Sequence, residues 1–392
     1  MHVSRRRGAI LRSHLGDPFG GALAYLRRYR SVPGRGLPGV DASRVTTPGI
    51  ITRLLAVERV PPRARLVVSL VLGLAAGAIT VQKNVLSDYP RDFGQVWFAA
   101  RAVLRGVDPY PLYGLGREYD WPWPLLYPMP AAVAAIPFAP FPMDVATVLF
   151  TIIGGACLAW ALMEYGYGPA FGFFAASVRY AAEAAQYSPL LAGAFVIAPL
   201  SALLIVKPTI GAAIFVARPS WWAVGGAVAL ALISFAVQPT WIHDWMAAVA
   251  SNNRAWLPDR PYRIPVTYPG GILALLSLLR WRRPEARLVA ALACVPQTPA
   301  IYETAPLLLV PRTFWEAAAL VALSYVQHLS MGALVAEPRG LAEFMDIGGR
   351  LIIPLIYLPV TLMILRRPNE GAVPAWLERR VAAWPTWIRG AN

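Results

Sequence analysis

Motifs that mark the large nucleotide- and metal-dependent enzyme classes are missing from this 392-residue chain. It has no glycine-rich nucleotide-phosphate loop, no Walker sequence and no His/Cys spacing typical of a metal site. It also has no Asp-x-Asp pair, which would mark a metal-dependent nucleotide-sugar site. We therefore expect neither a bound metal nor a cofactor.

Cysteine, lysine and charge in general are scarce. The two cysteines, Cys157 and Cys294, lie in apolar runs, so we expect core residues and no disulfide framework. Lysine occurs only at Lys83 and Lys207. Charged residues make up 15% of the chain and hydrophobic residues 57%. This composition is too apolar for a soluble protein of this size.

Long apolar runs predict an all-α polytopic membrane protein, because about 20 apolar residues cross a bilayer as a helix. Several charge-free runs approach that length: residues 66–82, 121–143, 145–163, 184–206, 219–243, 264–279, 317–336 and 351–365. Shorter runs at 288–302 and 304–311 indicate short or broken helices. We expect a bundle of roughly nine to twelve transmembrane helices.

The net charge of +15 comes from arginine concentrated in particular segments. Thirteen arginines but only three acidic residues precede Leu66, and short basic loops mark the cytoplasmic side. Residues 1–63 are thus predicted as a basic cytoplasmic tail, 64–366 as the transmembrane domain and 367–392 as a cytoplasmic tail. The loop 84–120 then lies outside. The expected partners of the basic loops are membrane lipids and not nucleic acid.

A carboxylate, Asp92, stands near the start of this outer loop. It is either a solvated or arginine-paired interface residue, or a general base that takes the proton of a sugar hydroxyl. The charged and aromatic residues of the loop favour the general base. The residues that follow predict a helix lying in the membrane interface, because the apolar ones share one helical side: Val96, Trp97, Ala100, Val103 and Leu104.

Proline recurs at the next membrane entry and predicts broken helices lining a cavity, because proline removes a backbone donor that lipid cannot replace. The segment contains Pro122, Pro124, Pro128, Pro130, Pro137, Pro140 and Pro142.

Three other polar residues have possible functional or structural interpretations. Lys207 either holds a lipid phosphate or extends to the headgroups. Glu183 is either functional or paired with Arg179 four residues before it. Asp108 most simply closes a turn through its own backbone.

Two further candidates lie beside aromatic residues or apolar runs. His243 belongs to a tryptophan-rich outer loop, 238–263, which suits a sugar site or an ordinary interfacial loop. Glu303 is a second outward acidic candidate.

The segment 92–110 resembles the first outer loop of the GT-C class of membrane glycosyltransferases, most closely glycosyltransferase family 87. In that family an Asp at a helix end is followed by an Ala-Ala-Arg-Ala segment, Leu-x-Gly-x-Asp-Pro-Tyr and a Tyr-Pro-Pro-like membrane entry. The matching parts here are Asp92, 97–102, 104–110 and 127–130. Gln186, Lys207-Pro208, 218–222 and 299–306 also resemble the family. The interval from Gln186 to Lys207 is shorter, and Tyr302-Glu303 stands where relatives often have His.

This resemblance implies an inverting transferase of the plasma (inner) membrane, with its active site on the extracytoplasmic side. It would move mannose, or a pentose such as arabinofuranose, from a polyprenyl-phosphate donor to a glycolipid or glycan acceptor. Asp92 takes the catalytic role by this resemblance. The cations expected to hold the donor phosphate are Arg101, Lys207 and Arg254, and the residues expected to bind acceptor or sugar are Gln186, His243, Trp97 and Glu303. The alternatives are a transporter or flippase of lipid-linked sugars and a non-catalytic membrane assembly subunit.

Overall fold

The structure is a computed structural model that describes residues 49–85, 92–256, 264–297, 301–334, 341–371, 373, 375–382 and 384–385. Most of the predicted N-terminal tail, residues 1–48, lies outside the described residues, as do parts of the predicted outer loops at 257–263 and 335–340. The chain from Gly49 onward belongs to one compact unit.

The described chain is mostly helical, as predicted. Its α-helices are α1 (Ile50–Leu55), α2 (Pro62–Thr80), α3 (Asp92–Leu104), α4 (Met129–Ala135), α5 (Met143–Leu162), α6 (Ala176–Glu183), α7 (Ser188–Ala194), α8 (Pro208–Ala217), α9 (Trp221–Val237), α10 (Trp241–Trp256), α11 (Pro284–Cys294), α12 (Phe314–Leu334), α13 (Leu341–Ile352), α14 (Leu358–Leu365) and α15 (Ala375–Val381).

Short 3-10 and π-helical segments connect many of these helices. The 3-10 segments are Tyr110–Leu112, Ile136–Phe138, Met163–Tyr165, Gly168–Phe174, Ala198–Val206, Pro265–Thr267, Gly271–Arg280 and Ile301–Leu309, and the π-helical ones are Val81–Val85 and Ile353–Tyr357. Two two-residue strands, β1 (Tyr113–Gly114) and β2 (Tyr119–Asp120), pair in the loop after α3.

Four helical segments of the described chain are long and apolar enough to cross a membrane: Pro62–Lys83, Met143–Tyr165, Phe314–Leu334 and Asp346–Leu365. A fifth is counted if α9 and α10, which are bent by 92° at their junction, form one span. This is fewer than the nine to twelve predicted. The other apolar runs are divided by proline and turns into short α-helices and 3-10 segments, such as Ala198–Val206 and α8.

Two of the long helices, α2 and α5, pack through glycine. α2 and α5 share an extensive contact, where Gly73 and Gly77 of α2 face α5. A Cβ atom on Gly73 would lie 2.6 Å from the Ile152 carbonyl oxygen, and one on Gly155 would lie 2.9 Å from Cβ of Ala76. Small residues let helix backbones approach this closely, which is the packing typical of membrane helices.

Arginines gather at one end of the fold, where they bind the carbonyl groups that helix C-termini leave without partners. Arg65 donates to Trp160 O at the end of α5, and Arg287 donates to Ala217 O at the end of α8. The same type of bond joins Arg218 to Phe195 O, Arg280 to Leu365 O and Arg367 to Val310 O. We call this set of five arginines the arginine layer.

Ion pairs link the arginine layer and its surroundings. Arg65 pairs with Glu164 at 3.0 Å, and Arg367 pairs with Glu316 at 2.8 Å. Arg282, fully buried, pairs with Glu378 of α15, so part of the predicted C-terminal tail packs on this end. The basic loops predicted to lie on one side of the membrane therefore do share one end of the fold.

The first half of the predicted outer loop is a helix, as expected, but α3 is packed inside the protein. Phe93 stacks on Phe150 of α5 with ring centroids 4.0 Å apart, and Trp97 and Val103 are buried. The apolar side that indicated a membrane-interface helix is therefore covered by protein, while Leu104 is 59% exposed.

Two local predictions have different outcomes. The proline-rich entry does form short helices, α4 and Ile136–Phe138, before α5 begins at Met143. The prediction that both cysteines are core residues is wrong for Cys294, which is exposed, whereas Cys157 is partly buried.

Candidate functional site

Four polar residues meet where short elements begin or turn. Asp92 is the first residue of α3, and Glu303 lies in the first turn of the 3-10 segment Ile301–Leu309. Gln186 occupies the turn between α6 and α7, and Lys207 the turn between Ala198–Val206 and α8. Ala185, beside Gln186, has a φ of 49°, the one positive φ of a non-glycine residue in the described chain.

Prolines place these turns. Pro189 and Pro208 lie in the first turns of α7 and α8, where proline is tolerated because the first helical N–H groups have no intrahelical partner. Each proline therefore starts a new helix directly after Gln186 or Lys207. Pro189 and Pro208 thus help to fix where the two polar side chains stand.

A continuous hydrogen-bond network joins the four side chains. Gln186 Nε2 donates to Asp92 Oδ2, and Lys207 Nζ donates to Gln186 Oε1 at 3.2 Å. Lys207 Nζ also lies 2.8 Å from Glu303 Oε1. We call Asp92, Gln186, Lys207 and Glu303 the polar cluster.

The chemistry of the neighbours fixes the orientation of the Gln186 amide. An ionised carboxylate only accepts hydrogen bonds and an ammonium only donates them, so the amide NH2 must face Asp92 and the amide oxygen must face Lys207. The hydroxyl of Tyr127 donates to the same oxygen, Gln186 Oε1, at 3.4 Å. The Asp92 carboxylate is thus held through one of its oxygens.

Tyrosines surround the polar cluster. Lys207 Nζ lies 5.0 Å from the centroid of the Tyr302 ring, which packs against Tyr180 at 5.6 Å. Tyr127 packs against Tyr187 at 5.7 Å. Rings beside a polar network suit both a cation and the apolar face of a sugar ring.

The polar cluster carries more acid than base. With both carboxyl groups ionised, Asp92 and Glu303 oppose one ammonium, which leaves one negative charge. Burial raises the pKa of the Asp92 carboxyl, the Lys207 charge and the Gln186 hydrogen bond lower it, and the Glu303 charge raises it, with a net upward shift. Glu303 Oε2 is buried and has no hydrogen-bond partner among the described residues.

The cavity beside the polar cluster is small. It has a volume of about 10 Å³ and is lined by Gln186 together with Ala76, Thr151 and Pro189. A water molecule needs about 10–15 Å³ of such volume. This cavity beside Gln186 therefore has room for about one water molecule and none for a sugar, while Asp92 and Lys207 are partly exposed.

Two predicted site residues lie farther along α3. Arg101 is exposed and its guanidinium carbon lies 5.0 Å from the centroid of the Trp97 ring. Trp97 is buried and its indole N–H donates to Phe141 O. Arg101 is nine residues from Asp92, about 13 Å along the helix axis. The structure thus does not bring Arg101 and Trp97 into the polar cluster.

The remaining two lie on α10, where the sequence predicted a loop. His243 has a side chain 87% exposed, with Nδ1 3.4 Å from Asp244 Oδ1, and Arg254 is exposed near the helix end. No described contact joins either residue to Asp92. Of the eight predicted site residues, the structure therefore brings together the four of the polar cluster.

For two other candidates the structure shows the structural alternative. Asp108 Oδ1 accepts from Tyr110 N at 3.0 Å, which closes the turn. Arg179 and Glu183 form the expected ion pair at 2.9 Å. The site residues that the sequence prediction missed are the tyrosines, since Tyr127 was noted only as part of the family-like segment 127–130.

Comparison of the chain with family models, with curated proteins and with solved structures finds no match. The resemblance to glycosyltransferase family 87 thus stays a prediction from the motifs.

Proposed function

We propose that this protein is a polytopic membrane glycosyltransferase of the GT-C type, in which Asp92 is the general base. The observation that carries the proposal is the polar cluster itself, which joins a carboxylate and an ammonium through one oriented amide. Residues from four separate chain segments supply it. A reaction between an acceptor hydroxyl and a phosphate-linked sugar requires a base and a phosphate-binding cation close together, and the polar cluster contains both.

The reaction we propose is the transfer of a sugar from a polyprenyl-phosphate donor with inversion. Asp92 takes the proton of an acceptor hydroxyl while that oxygen forms a bond to the anomeric carbon. The bond between that carbon and the phosphate oxygen breaks, and its electron pair leaves with the lipid phosphate. Because Gln186 holds Oδ2 of Asp92, the other carboxylate oxygen serves as the base.

Lys207 is the cation we assign to the donor phosphate. Arg101 and Arg254 lie outside the polar cluster, so Lys207 is the predicted phosphate ligand that is also joined to the base. In this structure its ammonium is paired with Glu303. Phosphate binding therefore exchanges one anionic partner of Lys207 for another.

The position of the polar cluster fits a substrate that enters from lipid. α8 runs ten residues from Pro208 to Ala217, which places Lys207 about 15 Å from the arginine layer. If the arginine layer marks the cytoplasmic boundary of a hydrocarbon core about 30 Å thick, the cluster lies near its middle or outer half. We propose an extracytoplasmic active site in the plasma membrane and a bundle completed by the shorter apolar elements as additional half-spans.

Purified protein in lipid nanodiscs, assayed with radiolabelled polyprenyl-phosphate mannose and polyprenyl-phosphate arabinofuranose, tests the proposal. We expect release of the polyprenyl phosphate and transfer of label to a glycolipid or glycan acceptor with one of the donors. Absence of transfer with the whole donor panel and a membrane-extract acceptor pool would contradict it.

A transporter or flippase of lipid-linked sugars is the second candidate, favoured by the buried carboxylate of Glu303. Partly buried ionisable groups also serve transport pathways. Reconstituted vesicles distinguish the two: a flippase moves an intact lipid-linked sugar across the bilayer, and the transferase cleaves its sugar–phosphate bond.

A further inference from the structure

Arg179 is one of the arginines outside the arginine layer, and it lies on the flank between α6 and α12. Arg179 of α6 has a side chain 51% exposed, and Tyr325 of α12 lies beside it. Its Nε donates to Glu183 Oε1 at 2.9 Å. The two terminal nitrogens carry the other four N–H donors of the guanidinium; one bonds to Tyr325, and the number of donors suits an anionic ligand in addition to Glu183.

Two helices give the same depth for this arginine. Tyr325 lies eleven residues after the start of α12, about 17 Å from the arginine layer. Thr80 lies 15 residues after Arg65 on α2, and it donates to Ala182 O of α6. Ala182 is about one helical turn farther from the arginine layer than Arg179, which puts Arg179 about 18 Å from the layer. Arg179 therefore lies well inside a hydrocarbon core that begins at the arginine layer.

Exposed apolar side chains lie on the segments next to Arg179. Phe174 is 55% exposed, and Val326 and Leu329 of α12 are 48% and 68% exposed. In a bilayer the ion pair with Glu183 lowers the cost of the half-exposed guanidinium, and a further polar or anionic group would lower it more. A ligand that reaches this flank must carry both an apolar chain and an anionic head.

Aromatic rings connect the flank to the polar cluster. Tyr180, next to Arg179, packs against Tyr302 with ring centroids 5.6 Å apart, and against His328 at 6.4 Å. Tyr302 in turn lies 5.0 Å from Lys207 Nζ. Two cations, the half-exposed Arg179 and the partly buried Lys207, thus stand at the two ends of a short row of tyrosines.

We propose that Arg179 is the first contact of the phosphate of a polyprenyl monophosphate group, which passes from lipid between α6 and α12 to Lys207. This inference rests on the proposed function, since it concerns the donor of the same site. It assigns the two cations different roles. Arg179 captures the phosphate from the bilayer, and Lys207 holds it.

The test measures the kinetics of binding of undecaprenyl monophosphate to the full-length protein in phosphatidylcholine nanodiscs. The main variant is Arg179→Gln combined with Glu183→Gln, so that the carboxylate charge is removed together with the guanidinium that neutralises it. The matched control is Arg350→Gln, because Arg350 forms another half-exposed pair with an acid four residues away. A thermal melt of each variant verifies that it is folded.

We expect the Arg179 double variant to slow association about tenfold and to leave dissociation nearly unchanged, as an exposed charge at an entrance should. Arg179→Lys should restore most of the association rate. Lys207→Gln should mainly accelerate dissociation, and Arg350→Gln should behave as the wild type.

The outcomes separate the entry route from the function. Association of the Arg179 double variant at the wild-type rate, with Lys207→Gln impaired, overturns the entry route and leaves the transferase standing. If the Arg179 double variant binds phosphatidylglycerol more slowly but undecaprenyl monophosphate at the wild-type rate, Arg179 is an ordinary headgroup contact. That result would also overturn the entry route. If the wild type does not bind undecaprenyl monophosphate, both proposals fail.

Discussion

Replacement of Asp92 by asparagine is predicted to change activity and stability in opposite directions. The amide keeps the size of the carboxyl group, and its oxygen still accepts the hydrogen bond from Gln186 Nε2. It cannot take a proton at neutral pH. General-base assistance of the order of 10²–10⁴ should be lost, which corresponds to about 2.7–5.4 kcal/mol of transition-state stabilisation.

The sign of the stability change follows from the raised pKa of Asp92. A carboxyl group whose pKa is higher in the folded protein than its ordinary value of 3.8 binds protons more tightly when folded. Its favourable contribution is complete below that ordinary value and is lost as the pH rises through the folded-state pKa. Above that pH the ionised Asp92 destabilises the fold, so Asp92→Asn should melt at a higher temperature than the wild type at pH 7.

Two measurements on the same purified samples check this prediction. The initial rate of sugar transfer is followed with a radiolabelled polyprenyl-phosphate donor, and the melting temperature is recorded from pH 4 to pH 8. The difference in melting temperature should shrink toward pH 4, and the acid limb of the wild-type rate should lie above the usual carboxyl range. Near-normal transfer by a folded variant would exclude Asp92 as the base. A lower melting temperature at pH 7 would refute the electrostatic reasoning.

Three further predictions follow from single contacts. Glu303→Gln removes the charge that competes with the donor phosphate for Lys207, so the KM for the donor should fall several-fold. The unfolding free energy should drop by about 3 kcal/mol, because Lys207 loses its ion pair. An unchanged KM would show that Lys207 does not bind the donor. Gly73→Ala places a Cβ atom 2.6 Å from Ile152 O and should cost about 1–3 kcal/mol, whereas Gly225→Ala, with nothing within 4 Å, should be neutral or slightly stabilising in the same melts. In a cysteine-free background, Leu115→Cys should react with an impermeant maleimide on intact cells, because position 115 is 78% exposed. Labelling only after lysis would contradict the proposed orientation. Gly114 is a poorer site for the cysteine because its φ of 143° favours glycine.

The features that depend on local composition could be predicted from the sequence. The apolar runs predicted a mostly helical chain with membrane-length helices, and the proline-rich entry predicted the short helices between residues 129 and 138. Asp108 and the Arg179–Glu183 pair were also accessible, because their partners lie two and four residues away. These predictions succeed because a turn or one helical repeat sets the geometry.

The number of long helices was overestimated for a physical reason. Hydropathy counts apolar residues, but it does not show where a run turns back on itself. The run 184–206 contains the whole of α7 and the whole of the segment Ala198–Val206, which meet at a turn. A membrane-length stretch of sequence therefore forms two short elements.

The composition of the candidate site was decided by the tertiary structure alone. Asp92, Gln186, Lys207 and Glu303 are separated by up to about two hundred residues, and only the packing of four short elements brings them into one network. The same packing leaves Arg101 far along α3 and His243 and Arg254 on α10, although their residue types suited a phosphate or a sugar. Residue type and local spacing identify side chains capable of the chemistry, and long-range packing determines which of them act together.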